Sequence, residues 1–132
     1  MTKQKILVVD DDSNLVQALR LRLIANDYDI AVAGDGYAAI ATAQKEQPDL
    51  VILDLGLPAG DGFLVLDRLR QRPNLEMVPV IILSARDAET NEDRALMAGA
   101  AAYFQKPADN DELLQMIRVN LPPSTAVQTS MA

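Results

Sequence analysis

The sequence predicts an α/β domain in which five parallel strands are covered by helices on both faces. Two observations carry that class. Five short apolar stretches recur along the 132 residues, and each is followed by residues with helical spacing. Runs such as Leu50-Val51-Ile52-Leu53 are apolar without alternation, as strands buried on both faces are. Strands alternating with helices imply βαβ units, right-handed crossovers and a parallel sheet, hence a three-layer sandwich. At this length one domain can bury a core without staples.

The first strand is expected over Lys5–Val9. After it, Leu15, Leu19 and Leu23 recur every four residues on a helix with Ser13 or Asn14 as its N-cap. A second strand, Asp29–Ala33, leads into an alanine-rich helix over Tyr37–Glu46 that Pro48 stops. The third strand, Leu50–Leu53, precedes a helix from about Phe63 to Arg70, ended before Pro73. The fourth, Val80–Leu83, precedes a helix over roughly Glu89–Met97 with Gly99 as C-cap candidate. The fifth, Ala102–Gln105, is followed by a helix near Asn110–Asn120 whose opening acids suit the positive end of its dipole. The domain is expected to span residues 1–121. "PPSTAVQTSMA", residues 122–132, is polar and proline-led and reads as a disordered tail or a stub of linker.

Composition removes several function classes. With no Cys there are no disulfides or thiolate metal sites. With no His there is no imidazole for a catalytic triad, a zinc site or a phosphohistidine, so any phosphoryl group has to come from another molecule. Twelve basic residues against 19 acidic ones give a net charge of −7, which repels a phosphate backbone and argues against direct nucleic-acid binding. No apolar run reaches 18 residues and no signal peptide is evident, so a cytoplasmic chain without membrane attachment is the expectation.

Chemistry is expected where the strands end, because ligands of open α/β sheets bind outside the carboxyl ends of the strands. Strand one ends in Asp10-Asp11-Asp12, strand three in Asp54, strand four in Ser84 and strand five in Lys106-Pro107. Taken singly, each has an ordinary explanation: the three aspartates as a solvated helix cap, Ser84 as a loop hydroxyl, Lys106 as a surface lysine, Tyr103 as strand packing. Their joint occurrence at successive strand ends favours a site. Clustered carboxylates repel unless a cation joins them, and Mg²⁺ takes a few oxygen ligands while keeping waters for the rest. With Mg²⁺ and Lys106 offsetting its charge, Asp54 becomes able to attack a phosphoryl group.

These residues resemble the receiver domain of two-component response regulators from about Lys3 to Leu121. "ILVVDDD" stands for the acidic pocket, "LVILDLGLPAGDG" for the phosphoacceptor strand and loop, "PVIILSA" for the switch hydroxyl and "YFQKP" for the lysine. The resemblance implies a flavodoxin-like fold with strand order 2-1-3-4-5. It implies Asp54 as phosphoacceptor, with Asp11, Asp54 and the backbone carbonyl of Gly56 as Mg²⁺ ligands and Asp10 assisting through a water. Lys106 would hold a phosphoryl oxygen, Ser84 would move to bond another, Tyr103 would turn inward behind it, and Pro107 would follow a cis bond.

Gly56 and Arg86 occupy the two positions that tune phosphate lifetime in the family. Arg86 is expected either to fold across the approach beside Gly56 or to lie in solvent. Ala108 stands where a bulky apolar residue is common, loosening that corner. Gly99-Ala100-Ala101-Ala102-Tyr103 lacks the acids that many DNA-binding relatives carry there. The implied partners are a sensor histidine kinase or phosphotransfer protein, and a downstream protein or effector domain docking on the face of helix 4, strand 5 and helix 5. The domain itself is expected to stay largely monomeric, and to catalyse nothing beyond its own phosphorylation and dephosphorylation. Rival readings are weaker. A dehalogenase-like phosphatase needs a second acid where Gly56 stands; "GDGYAA" at 34–39 is a lone nucleotide-binding match; a pseudo-receiver working without phosphorylation usually lacks an acid or the lysine, and neither is missing.

Overall fold

The computed structural model describes residues 3–58 and 61–122. Five strands and five helices alternate: β1 (Lys5–Val9), α1 (Ser13–Ala25), β2 (Asp29–Ala33), α2 (Gly36–Glu46), β3 (Leu50–Leu53), α3 (Gly62–Arg70), β4 (Val80–Ser84), α4 (Ala88–Met97), β5 (Ala102–Gln105) and α5 (Asn110–Asn120). All strand pairs are parallel and the order is β2-β1-β3-β4-β5, as the resemblance implied.

Because successive side chains of a strand point to opposite faces, each apolar strand supplies both layers. Ile6, Val8, Ile52 and Ile81 pack against Leu19 and Leu23 of α1 and Leu113 and Ile117 of α5. Leu7, Val9, Leu53 and Ile82 pack against Ala39 and Ala43 of α2, Leu66 and Leu69 of α3, and Ala95 of α4. Truncating one fully buried leucine here, such as Leu66, is worth about 2–5 kcal/mol.

Helix ends differ from expectation in instructive ways. The N-cap of α1 is Asp12, not Ser13 or Asn14: its carboxylate accepts from the N–H groups of Asn14 and Leu15 at 3.0 and 3.2 Å. A carboxylate in extended backbone outcompetes the hydroxyl one residue later, which is already helical. Asp35, Asp61 and Asp109 cap α2, α3 and α5 in the same manner. Helix α4 is capped from outside, its Ala88 N–H donating to the side-chain oxygen of Gln105 on β5 at 2.8 Å. It ends in a Schellman turn: Gly99 follows the C-cap Ala98 with φ of 108°, and the N–H groups of Gly99 and Ala100 reach the carbonyls of Leu96 and Ala95.

The strand ends and the helix N-termini thus share one edge of the sheet. At the opposite edge the side-chain amide of Gln4 donates to the Pro122 carbonyl at 3.3 Å. The expected tail lies, past Pro122, outside the described residues. No helix among the described residues is long and apolar enough to cross a membrane.

Candidate functional site

Sheet hydrogen bonds continue one residue beyond β1, β3 and β5, and this holds the charged residues side by side. The N–H of Asp10 donates to the Ala33 carbonyl at 3.1 Å, that of Asp54 to Val9 at 3.0 Å and that of Lys106 to Ser84 at 2.8 Å. Since Val9 pairs with Leu53, Asp10 and Asp54 emerge as neighbours on adjacent strands. Both are buried, at 4% and 7% exposure, whereas Asp11 points to solvent.

Lys106 bridges the two buried acids, its Nζ lying 2.8 Å from Asp10 Oδ2 and 3.5 Å from Asp54 Oδ2. The other oxygen of Asp10 accepts from the Asp12 N–H at 2.9 Å, and Asp54 Oδ1 accepts from the Gly56 N–H at 3.1 Å. Burial pushes the Asp10 carboxyl above the ordinary aspartate range and the charge of Asp54 adds to this, against the pull of Lys106 and the Asp12 amide. Burial by itself would lower the Lys106 ammonium; its bond to Asp10 and the charges of both acids outweigh that and raise it.

One lysine does not balance three carboxylates. Oxygens of Asp10, Asp11 and Asp54 lie within 4.8 Å of one another, close to the roughly 4.2 Å between opposite ligands of an octahedral Mg²⁺. A hard cation with oxygen ligands fits the donor set of Asp10, Asp11 and Asp54. Mg²⁺ is the cofactor of the site.

The response regulator receiver domain model matches residues 6–118. The chain belongs to that receiver-domain family. The transcriptional regulatory protein KdpE of Mycobacterium tuberculosis is 40% identical over 121 residues, 92% of this chain and 52% of KdpE, so the chain spans about half the length of that relative. Among solved structures, the BeF3-activated N-terminal receiver domain of Klebsiella pneumoniae RstA has a TM-score of 0.83 at 31% identity, covering 91% of this chain and 100% of that one. The receiver domain of the Pseudomonas aeruginosa sensor kinase PA1611, with a magnesium ion in its active-site cleft, has a TM-score of 0.81 at 28% identity, covering 89% of this chain and 97% of that one. Receiver domains are the signalling domains of two-component systems, and they work through phosphorylation. The pseudo-receiver alternative is not favoured, because the acids and the lysine are all present and assembled.

The receiver site also holds contacts the sequence did not announce. Ser84 is fully buried as the last residue of β4, which runs one residue longer than expected. Its Oγ accepts from the Arg86 N–H at 3.2 Å, while the Tyr103 hydroxyl donates to the Arg86 carbonyl at 2.8 Å. The two groups named for the switch therefore meet on one backbone residue. The Arg86 side chain neither crosses to Gly56 nor lies free in solvent: it pairs with Asp61 at 3.3 Å, tying the loop after β4 to the loop after β3.

Gly62 was missed. A Cβ there would come within 2.5 Å of Leu55 Cα and 2.6 Å of the Asp54 carbonyl, so only glycine lets α3 start against the backbone that carries Asp54. The available signal was a poor helix former in a first turn. Lys106-Pro107 is cis, as the resemblance implied. Beside it, where Ala108 is small, a cavity of about 390 Å³ opens among Asp12, Leu15, Leu83 and Leu113.

Proposed function

We propose that Asp54 is the phosphoacceptor of this receiver domain. The carrying observation is that Asp54, buried at the end of β3, lies both within 3.5 Å of the Lys106 ammonium and in one cluster with Asp10 and Asp11. Response regulators receive the phosphoryl group from a histidine kinase. An Asp54 oxygen attacks phosphorus, the bond to the imidazole nitrogen breaks, and an aspartyl phosphate forms. Bound Mg²⁺ supplies positive charge to the transferring phosphoryl oxygens. Asp11, Asp54 and the Gly56 carbonyl would hold it directly, and Asp10, which keeps Lys106 in place, would assist through a water. Lys106 takes a phosphoryl oxygen as a compact point charge. The domain turns over nothing but its own phosphate, and Gly56 and Arg86 set how long the phosphate lasts.

The switch reading rests on the Arg86 backbone. When Ser84 turns toward a phosphoryl oxygen, the Arg86 N–H loses its acceptor and the partner of the Tyr103 hydroxyl is freed to shift. A two-state equilibrium is biased by that exchange.

Output then passes through α4, β5 and α5 to a downstream protein or effector domain, with the receiver itself largely monomeric. Ala102 does not belong to that face, because it is buried against the α1 and α5 layer; Ala101 is the exposed alanine. In an edge strand, alternation puts the neighbour of an exposed residue inside.

Intact-mass spectrometry after acetyl phosphate and Mg²⁺ tests the central claim. One phosphoryl group is expected on the wild type and none on Asp54→Asn; a label that survives the substitution would place the acceptor elsewhere. Ser84→Ala is expected to accept phosphate yet to leave the NMR signals around Tyr103 unshifted. Sedimentation with and without beryllofluoride checks the monomer, and a shift to dimer that Ala101→Asp abolishes would overturn it.

A further inference from the structure

The surface between α2 and α3 carries a basic groove that the phosphorylation chemistry does not use. Three adjoining depressions of about 420, 220 and 210 Å³ run along it, and Arg72 lines all three. Arg68 lines two of them, with Gln44 and Tyr37 on the α2 side. No carboxylate lines any of the three, in a chain with 19 acids. Lys3, Lys5, Arg86 and Lys106 pair with carboxylates and the Arg94 guanidinium lies 3.7 Å from the Phe63 ring centre, whereas Arg20, Arg22, Lys45, Arg70 and Arg118, outside the groove, join no ion pair among the described residues. Among the described residues, Arg68 and Arg72 make no ion pair.

We propose that the α2–α3 groove docks an extended acidic polypeptide segment of a partner protein. Charge complementarity argues for acid. Length argues for an extended segment: Arg68 on α3 and Arg72, just past its end, line depressions that continue along α2 from Gly36 and Tyr37 to Gln44. Carboxylates of the segment meet Arg68 and Arg72, each guanidinium offering a fork to one carboxylate. The groove follows α2, whose 11 residues span about 16 Å, room for roughly five extended residues. Tyr37, 83% exposed, stands at one end and offers a ring for an apolar side chain of the same segment. A nucleic acid is the poorer occupant, because the net charge of −7 repels a long polyanion while a short segment feels the local arginines.

The full chain titrated into a fluorescein-labelled ten-residue peptide of alternating glutamate and threonine, read by anisotropy, tests this. Weak, salt-sensitive binding is expected, lowered at least about fivefold by Arg68→Glu with Arg72→Glu. Tyr37→Ala should not alter a peptide that carries no apolar residue, and should weaken one ending in leucine. Uptake of one phosphoryl group by the double variant checks that it folds. Equal binding of the glutamine version, unchanged binding by the double variant, or equally tight arginine-dependent binding of a single-stranded oligonucleotide of the same charge would each overturn the proposal.

Discussion

The two edges of the sheet handle charge in opposite ways. At the amino edge, Lys5 and Glu46 pair one to one at 2.7 Å, and Asp49 accepts the Lys5 N–H at 2.8 Å, so each group has a partner. At the carboxyl edge three carboxylates share one lysine, two of them buried. A balanced pair near solvent is worth little and asks for nothing more. An unbalanced buried cluster weakens the fold by itself and gains when a cation arrives. The excess charge marks the edge that does chemistry.

Removing the lysine should show this most strongly. Lys106→Ala leaves the buried Asp10 without its cation, and the metal-free domain should lose about 1–3 kcal/mol in urea unfolding. Phosphoryl uptake from acetyl phosphate should fall by at least about a hundredfold, as for removal of other clamps on transferring groups.

Removing an acid should act the other way. Asp54→Asn relieves repulsion, so without Mg²⁺ the variant should be more stable than the wild type by about 1 kcal/mol, the trade of stability for function expected at a charged site. Mg²⁺ at ten times its Kd should raise wild-type stability by about 1.4 kcal/mol by mass action and Asp54→Asn by much less. Equal metal responses would show that Asp54 is not among the ligands.

Arg86→Ala sharpens the comparison at the rim of the same edge. Loss of the Asp61 pair frees the loop after β4, and the rate of dephosphorylation should change severalfold with little change in melting temperature. An unchanged rate would remove Arg86 from the tuning pair.

The smallest effect belongs to the amino edge. The hydrogen bond and charge of Lys5 hold the Glu46 carboxyl below its usual range. A lowered folded value means the contribution is present above the unfolded carboxylate range and is lost as pH falls through the folded one. Thermal melts of wild type and Glu46→Gln should therefore differ slightly at neutral pH and converge in acid, with phosphorylation untouched.

Much of this was legible because it is local or positional. The five apolar runs and the helical spacings between them depend on near neighbours, and every strand lies where the pattern put it, with β4 longer by Ser84. The acids, the hydroxyl and the lysine were legible as a group because each directly follows or ends a strand. Which acid does what was less so. Asp12 went to the helix and Asp10 into the cluster, a division set by backbone angle and by the Asp10 bond to β2, neither of which a run of three aspartates displays.

The sequence by itself determined the layers, the edge on which the charges gather and their imbalance, since these follow from composition and from short-range periodicity. Only the tertiary structure decided the contacts between segments distant in the chain: Arg86 on Asp61, Ser84 and Tyr103 meeting at the Arg86 backbone, Gly62 against Asp54, Ala102 turned inward, and the acid-free groove under Arg68 and Arg72. Each depends on how two elements lie against one another, and a surface arginine or a glycine reads the same in sequence whichever neighbour the packing brings to it.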